Sequence, residues 1–164
     1  MLLGVVSDTH NNLRNIEQII SLFNNEEITS VIHTGDITNS KSLEKFSALD
    51  ADLIGVYGNN DRNEVGLEDI AIQNNFLFQE PPSLITLCDK NIAIFHEPDM
   101  ISSFLSENKD IDIVIHGHTH RPAIHNLNIQ NTDHQRIVLG DWYDQGSCLE
   151  WDESGPNLIK LYRR

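Results

Sequence analysis

The chain begins with Leu2–Val6, a short continuous apolar run of the kind that marks a strand buried on both faces. A helical stripe follows. Between Asn11 and Asn25, the residues Leu13, Ile16, Ile19, Ile20 and Phe23 recur at helical spacing. Ser30–His33 predicts a second strand that ends in Thr34-Gly35-Asp36. Ser40–Leu49 predicts a second helix with Leu43, Phe46 and Leu49 on one side. Leu53–Tyr57 predicts a third strand, closed by Gly58-Asn59-Asn60-Asp61, and Asn63–Asn75 a third helix. After the turn at Pro81-Pro82 come strands at Leu84–Leu87 and Ile92–Phe95, a helix over Asp99–Asn108, and a buried strand at Ile111–Ile115 closed by His116-Gly117-His118-Thr119-His120. The remainder is β-rich: Ala123–Ile129, Arg136–Leu139, Ser147–Trp151 and Leu158–Tyr162, joined by polar turns.

Strand and helix alternate through the first two-thirds, which predicts parallel sheet with crossover helices. The last third predicts antiparallel sheet. The economical architecture is an α/β layered sandwich with two sheets. There is no repeat, low-complexity tract or linker, so residues 1–164 are expected to form a single domain. A domain of that size buries roughly 68–70% of its unfolded surface, enough for a core without staples.

The polar residues that follow these strands share one position. Asp8 and His10, Asp36, Asn59, His96, and His118 with His120 each fall just after a strand's carboxyl end. Ligand sites in open α/β sheets gather at that edge. The set comprises two carboxylates, one amide oxygen and four imidazoles. It suits Mn, Fe, Co, Ni or Zn, whereas Ca and Mg prefer all-oxygen shells. Any one of these motifs alone is a turn, a cap or a buried histidine; the joint occurrence in this order points to metal. If Asp36 bridges, two ions about 3.5–4 Å apart can share a hydroxide and clamp a phosphoryl oxygen. Such a centre carries a net charge of about +1, attractive to a phosphodiester monoanion.

Composition narrows the function further. There are 11 Lys and Arg against 25 Asp and Glu, a formal net charge of −14. With no basic cluster, duplex nucleic-acid binding is not expected; Arg163-Arg164 reads as a solvated tip. Most acidic groups read as surface, although bound cations would offset some of them. No apolar run approaches the ~20 residues of a membrane span. Cys88 and Cys148 are too few for a disulfide framework and read as buried thiols. The apolar N-terminus lacks a basic flank and reads as a strand, not a signal peptide. The expected location is the cytoplasm.

The motifs DTH (8–10), GD (35–36), GNND (58–61), His96 and GHTH (117–120) together resemble the calcineurin-like metallophosphoesterase superfamily. The short length and the MLLGVVSDTHNN opening resemble its compact bacterial and archaeal phosphodiesterase branch. The resemblance implies a four-layer αββα sandwich of two mixed β-sheets flanked by helices. It implies two divalent metal ions, with manganese first among the candidates. One ion would sit on Asp8, His10, Asp36 and His120, the other on Asp36, Asn59, His96 and His118. The implied activity is hydrolysis of a small phosphate ester, a diester first, through a metal-activated water. The alternatives are a phosphomonoesterase or nucleotidase, or a non-catalytic scaffold of the same fold. Assembly as a homodimer or higher homo-oligomer is also implied.

Two positions depart from the family pattern. Many members carry His where this chain has Asn60, which can only hydrogen-bond; this favours acidic leaving groups. Glu97 follows His96 where Gly is usual, and either narrows the mouth, adds a carboxylate or points to solvent. Asn60, Asp61 and Arg62 are the candidate catalytic residues beside the ligands. Asp61 would orient a neighbouring loop; Arg62 and Arg121 would contact phosphate or form surface ion pairs. His33 and His116 are expected to pack or to hydrogen-bond behind the ligands, His125 and His134 to be exposed, and Trp142 and Tyr143 to belong to the core, with a pocket wall as the alternative. HGHTHRPAIH (116–125) and RIVLGDWYDQGSCL (136–149) also resemble the tail of UDP-diacylglucosamine hydrolases, which are longer and carry lid insertions that this chain has no spare segment to form.

Overall fold

A computed structural model describes residues 2–87, 89–141, 145–152 and 155–162. Cys88, Trp142, Tyr143 and Arg163-Arg164 lie outside the described residues, and for Cys148 only the strand position is described.

The strands are β1 (Leu2–Val6), β2 (Ser30–His33), β3 (Asp52–Val56), β4 (Leu77–Gln79), β5 (Ser83–Leu87), β6 (Lys90–Ile94), β7 (Ile113–His116), β8 (Ala123–Ile129), β9 (Thr132–Val138), β10 (Gln145–Asp152) and β11 (Gly155–Tyr162). The helices are α1 (Leu13–Asn25), α2 (Ser40–Lys45), α3 (Leu67–Gln73) and α4 (Ile101–Glu107). One sheet runs β11-β10-β1-β2-β3-β4, the other β5-β6-β7-β9-β8. β1 through β4 are parallel neighbours, as are β6, β7 and β9; β10, β11, β5 and β8 pair antiparallel.

Strand alternation builds the layers. In β1, Leu3 and Val5 point one way and Val6 the other; in β2, Ile32 and Val31 divide likewise. The first set meets Ile92, Ile94, Ile113, Ile115 and Ile137 of the opposite sheet, forming a core between sheets. Val6, Val31 and Leu53 instead meet Ile16, Ile19 and Phe23 of α1 and Leu43 of α2. On the far side, Ala93 and Val114 pack under Ile101 and Leu105 of α4. Three successive interlayer cores make a four-layer αββα sandwich of two mixed sheets. Strands between two cores must be apolar on both faces, which explains the continuous runs in β1, β2 and β7.

The expected elements differ from the structure at several points. α2 is shorter than Ser40–Leu49, its end tightening into a 3-10 turn over Phe46–Ala48. α3 starts only after Gly66, whose φ of +88° breaks the helical run and whose successors Glu68 and Asp69 favour the positive end of the helix dipole. β4 was not anticipated: it is a three-residue edge strand, exposed at Leu77 and Gln79, too short to show a period. β7 begins at Ile113, because Ile111 turns away to join the α4 core. β9 begins four residues early, at Thr132. Gln130 and Asn131 both take positive φ (+50° and +62°), closing a tight β8–β9 hairpin that carries the polar stretch into the ladder. His134, expected to be exposed, is 4% exposed and gives Nδ1 to the Ile111 carbonyl at 2.6 Å.

Ile115 is fully buried between the sheets. Ile115→Ala should destabilise the protein by roughly 2–5 kcal/mol, measured as a shift in the urea midpoint at unchanged m-value.

Candidate metal centre

The parallel strands β1, β2 and β3 of one sheet and β6 and β7 of the other end at the same rim. Asp8 and His10 follow β1, Asp36 follows β2, Asn59 follows β3, His96 follows β6, and His118 and His120 follow β7. Donor atoms of Asp8, His10 and His120 lie within 4.8 Å of one another, and so do those of Asp8, Asp36 and His96. Asn59 Oδ1 is 2.9 Å from His96 Nε2, and the His96 and His118 rings stand edge to face at 5.1 Å. The seven sequence-predicted positions therefore meet, although they span 113 residues of chain, from Asp8 to His120.

Bringing them together requires unusual backbone. Asp8, His10, Asp36, His118 and His120 all take positive φ, between +46° and +64°. Non-glycine residues in this region are uncommon and concentrate at functional sites. Two glycines supply close approach. A Cβ on Gly58 would land on the Asp36 carboxylate, and one on Gly117 would land on Ser7 Oγ and Asp8 Oδ2.

Asp61 holds the loops in register. Its carboxylate accepts the backbone amides of Asp36, Ile37, Thr38 and Gly58 at 2.7–2.8 Å. It is 3% exposed and ties the loop after β2 to the loop after β3. Asn60 gives its backbone amide to Asp36 Oδ1 (3.0 Å) and its side-chain amide to Oδ2 (2.7 Å). Arg62 lies apart from the cluster, paired with Glu97 at 2.9 Å and near Glu80 at 4.0 Å. That pair settles where Glu97 goes: it faces Arg62 at the rim of a cleft of about 560 Å³ shared with Met100 and Phe104.

The hydrogen bonds behind the cluster leave lone pairs facing one another. His96 Nδ1 is 2.9 Å from the Thr34 carbonyl, so this nitrogen carries the proton and Nε2 of the neutral ring is bare. That bare nitrogen faces Asn59 Oδ1 at 2.9 Å and Asp36 Oδ1 at 3.4 Å, both acceptors. His120 repeats the arrangement: Nδ1 meets Asp141 Oδ2 at 3.0 Å, and Nε2 faces Asp8 Oδ1 at 3.1 Å. Asp8 is 1% exposed, and its Oδ1 has no hydrogen-bond partner among the described residues; Oδ2 accepts from Ser7 and from the His118 amide. A buried, unpartnered carboxylate oxygen aimed at imidazole nitrogens is unfavourable unless a cation lies between them. The donor set therefore fits divalent metal. Without one, a proton taken up by His96 stands in the cation's place, and Nε2 then donates to Asp36. Burial works against both charges, but the His96 and Asn60 hydrogen bonds hold the Asp36 carboxyl well below the usual range, and Asp36 raises His96.

Two buried histidines stand behind the centre. Burial pushes His33 down to about 3; its ring accepts the Gly35 amide on Nδ1, meets Thr9 Oγ1 with Nε2, and packs edge-on against Phe46. Burial, with the Arg136 cation adding to it, pushes His116 down to about 4; Nε2 accepts from Arg136 at 2.8 Å. The sequence reading missed Asp141 as the partner of His120 and Arg136 as the partner of His116. The signal for Asp141 was its place just beyond the end of β9, the same strand-end position that marked the ligands.

An αββα sandwich with carboxylate and imidazole donors gathered at the carboxyl ends of its strands defines a metal-dependent phosphoric ester hydrolase. The chain belongs to the calcineurin-like phosphoesterase superfamily, whose domain model matches residues 1–140. It is 34% identical to a phosphodiesterase of Methanocaldococcus jannaschii over 127 residues, covering 73% of this chain and 74% of that protein. A solved archaeal phosphodiesterase superposes with a TM-score of 0.83 at 25% identity, covering 99% of this chain and all of that one. A shorter stretch of 53 residues is 57% identical to UDP-2,3-diacylglucosamine hydrolase of Stenotrophomonas maltophilia; it spans 32% of this chain and 21% of that protein.

Two outcomes follow from this geometry. Asp141→Ala should weaken manganese binding about 10–100-fold in a calorimetric titration, because His120 loses the carboxylate that fixes its ring. Between pH 6.5 and about 4 the unfolded chain binds protons on His33 and His116 that the folded chain refuses. Stability of the metal-free protein should therefore fall on acidification through that window. His116→Asn should remove up to about 1.4 kcal/mol per pH unit of the slope in urea melts.

Proposed function

We propose that the protein is a phosphodiesterase that works with two divalent metal ions, manganese first among them. The observation that carries this reading is the close approach of His120 Nε2 to Asp8 Oδ1 and of His96 Nε2 to Asn59 Oδ1, each ring being held through Nδ1 by an acceptor oxygen behind it. Asp8, His10, Asp36 and His120 would hold one ion, and Asp36, Asn59, His96 and His118 the other. When bound, two such ions polarise a phosphoryl group and make a water nucleophilic at neutral pH.

The chain's own residues set the rest of the chemistry. Asp61 fixes the loops that carry Asp36 and Asn59, and Asn60 turns both Asp36 oxygens. Asn60 thereby spends its amide on a ligand, and it has no proton to give a departing alkoxide. The site is therefore matched to esters whose leaving group departs as a stable anion, such as an aryl oxide or a phosphate, with water as any acid required. A monoanionic diester suits a centre of about +1 charge better than a monoester dianion suits the surrounding acidic surface. The resemblance in sequence to a phosphodiesterase supports the same choice. With only two cysteines and no helix among the described residues long and apolar enough to cross a membrane, the cytoplasm is the compartment we assign.

Purified protein with added manganese should hydrolyse bis-p-nitrophenyl phosphate faster than p-nitrophenyl phosphate. Asp8→Ala and His120→Ala should each lower kcat/KM by about two orders of magnitude or more, with the circular dichroism spectrum retained. Absence of turnover by folded, manganese-loaded protein would overturn the assignment.

A further inference from the structure

Beside the His118 edge of the centre lies a cleft of about 490 Å³, lined by His118, Thr119, Arg121, His125, Arg136 and Val138. Its chemistry is opposite to the rest of the surface. The chain has 25 acidic and 11 basic residues, yet two arginines share this one cleft. Neither forms an ion pair with a carboxylate among the described residues.

Arg136 is also oriented. Its Nε donates to His116 Nε2 at 2.8 Å, and His116 is anchored in turn through Nδ1 to the Gly117 carbonyl at 2.8 Å. A half-buried guanidinium held by Nε keeps its two terminal amino groups for another acceptor, in the fork that matches a phosphate or carboxylate. His125 stands directly across the β8–β9 ladder from Arg136, and Arg121 follows His120 in the loop. Packing two cations together without a counter-charge is unfavourable, and the arrangement becomes favourable when an oxyanion occupies the space between them.

We propose that this cleft is a second oxyanion subsite, and that the substrate carries a second phosphoryl group which Arg121 and Arg136 bind while the scissile phosphate sits at the metal centre. The inference rests on the phosphoesterase reading of that centre and narrows its substrate class. Bis-p-nitrophenyl phosphate, with one charge and no second phosphate, fills only half of the site. The acidic surface would repel a multiply charged substrate everywhere else, so the paired arginines also supply the local field that admits it.

The test compares methylphosphonate with alkylene bisphosphonates of about three to six carbons, titrated calorimetrically into the manganese-loaded protein at fixed ionic strength. At least one bisphosphonate should bind about 10-fold tighter or more than methylphosphonate, the gain expected from charge-assisted hydrogen bonds at the second group. Within Arg121→Gln, whose side chain is exposed, and within Arg121→Gln/Arg136→Gln, that ratio should fall towards one. A series in which no bisphosphonate outbinds methylphosphonate, or an advantage that survives the double variant, overturns the subsite. Bis-p-nitrophenyl phosphate hydrolysis, measured in parallel, reports on the centre itself. An arginine-dependent bisphosphonate advantage without that hydrolysis would uphold the subsite while the catalytic reading failed.

Discussion

Lone pairs held against lone pairs are the constraint on which the rim of this sandwich turns. Asp8 Oδ1 is buried and faces an imidazole nitrogen whose partner nitrogen is already committed to Asp141. A folded chain keeps such an arrangement only if the surrounding structure fixes it and something bound repays it. Here the fixing comes from three sources: the intersheet core that brings the two sets of parallel strand ends to one rim, the left-handed backbone at five of the candidate ligand positions, and the glycines that let Asp36 and Asp8 be approached. Repayment comes from positive charge, which the family supplies as metal.

How much of this was legible in the sequence follows from physical range. The strands of the cores were readable because burial on two faces forces an unbroken apolar run, as in Leu2–Val6 and Ile113–Ile115. The candidate ligand positions were readable because each follows such a strand within two to four residues. Elements decided by one backbone torsion or a few edge contacts were not. Gly66 delays α3, Gln130 and Asn131 extend β9, and β4 is too short to declare a period. Asp61 was recognised as a loop-orienting residue, but its role as acceptor for four amides depends on two loops meeting, which no local pattern encodes. The same holds for His134, where burial follows from the hairpin's extension rather than from its own neighbours.

Charge distribution adds a second level. The chain is strongly acidic overall, yet its substrate must be an anion. The cleft beside the rim gathers Arg121 and Arg136, neither of which has a carboxylate partner among the described residues. Arg62 differs: it is paired with Glu97, and the cleft it borders with Met100 and Phe104 also carries the carboxylates of Asp99 and Glu107.

The clasp formed by Asp61 has a mechanical consequence. Because one carboxylate grips both the 36–38 segment and Gly58, those two stretches are tied into a single plate. On the proposed ligand set, Asp36 would serve both ions and Asn59 only one. Seating the first cation would steady the whole plate and spare the second that ordering entropy. The pair of ions should then load together, with half-filled protein scarce at equilibrium.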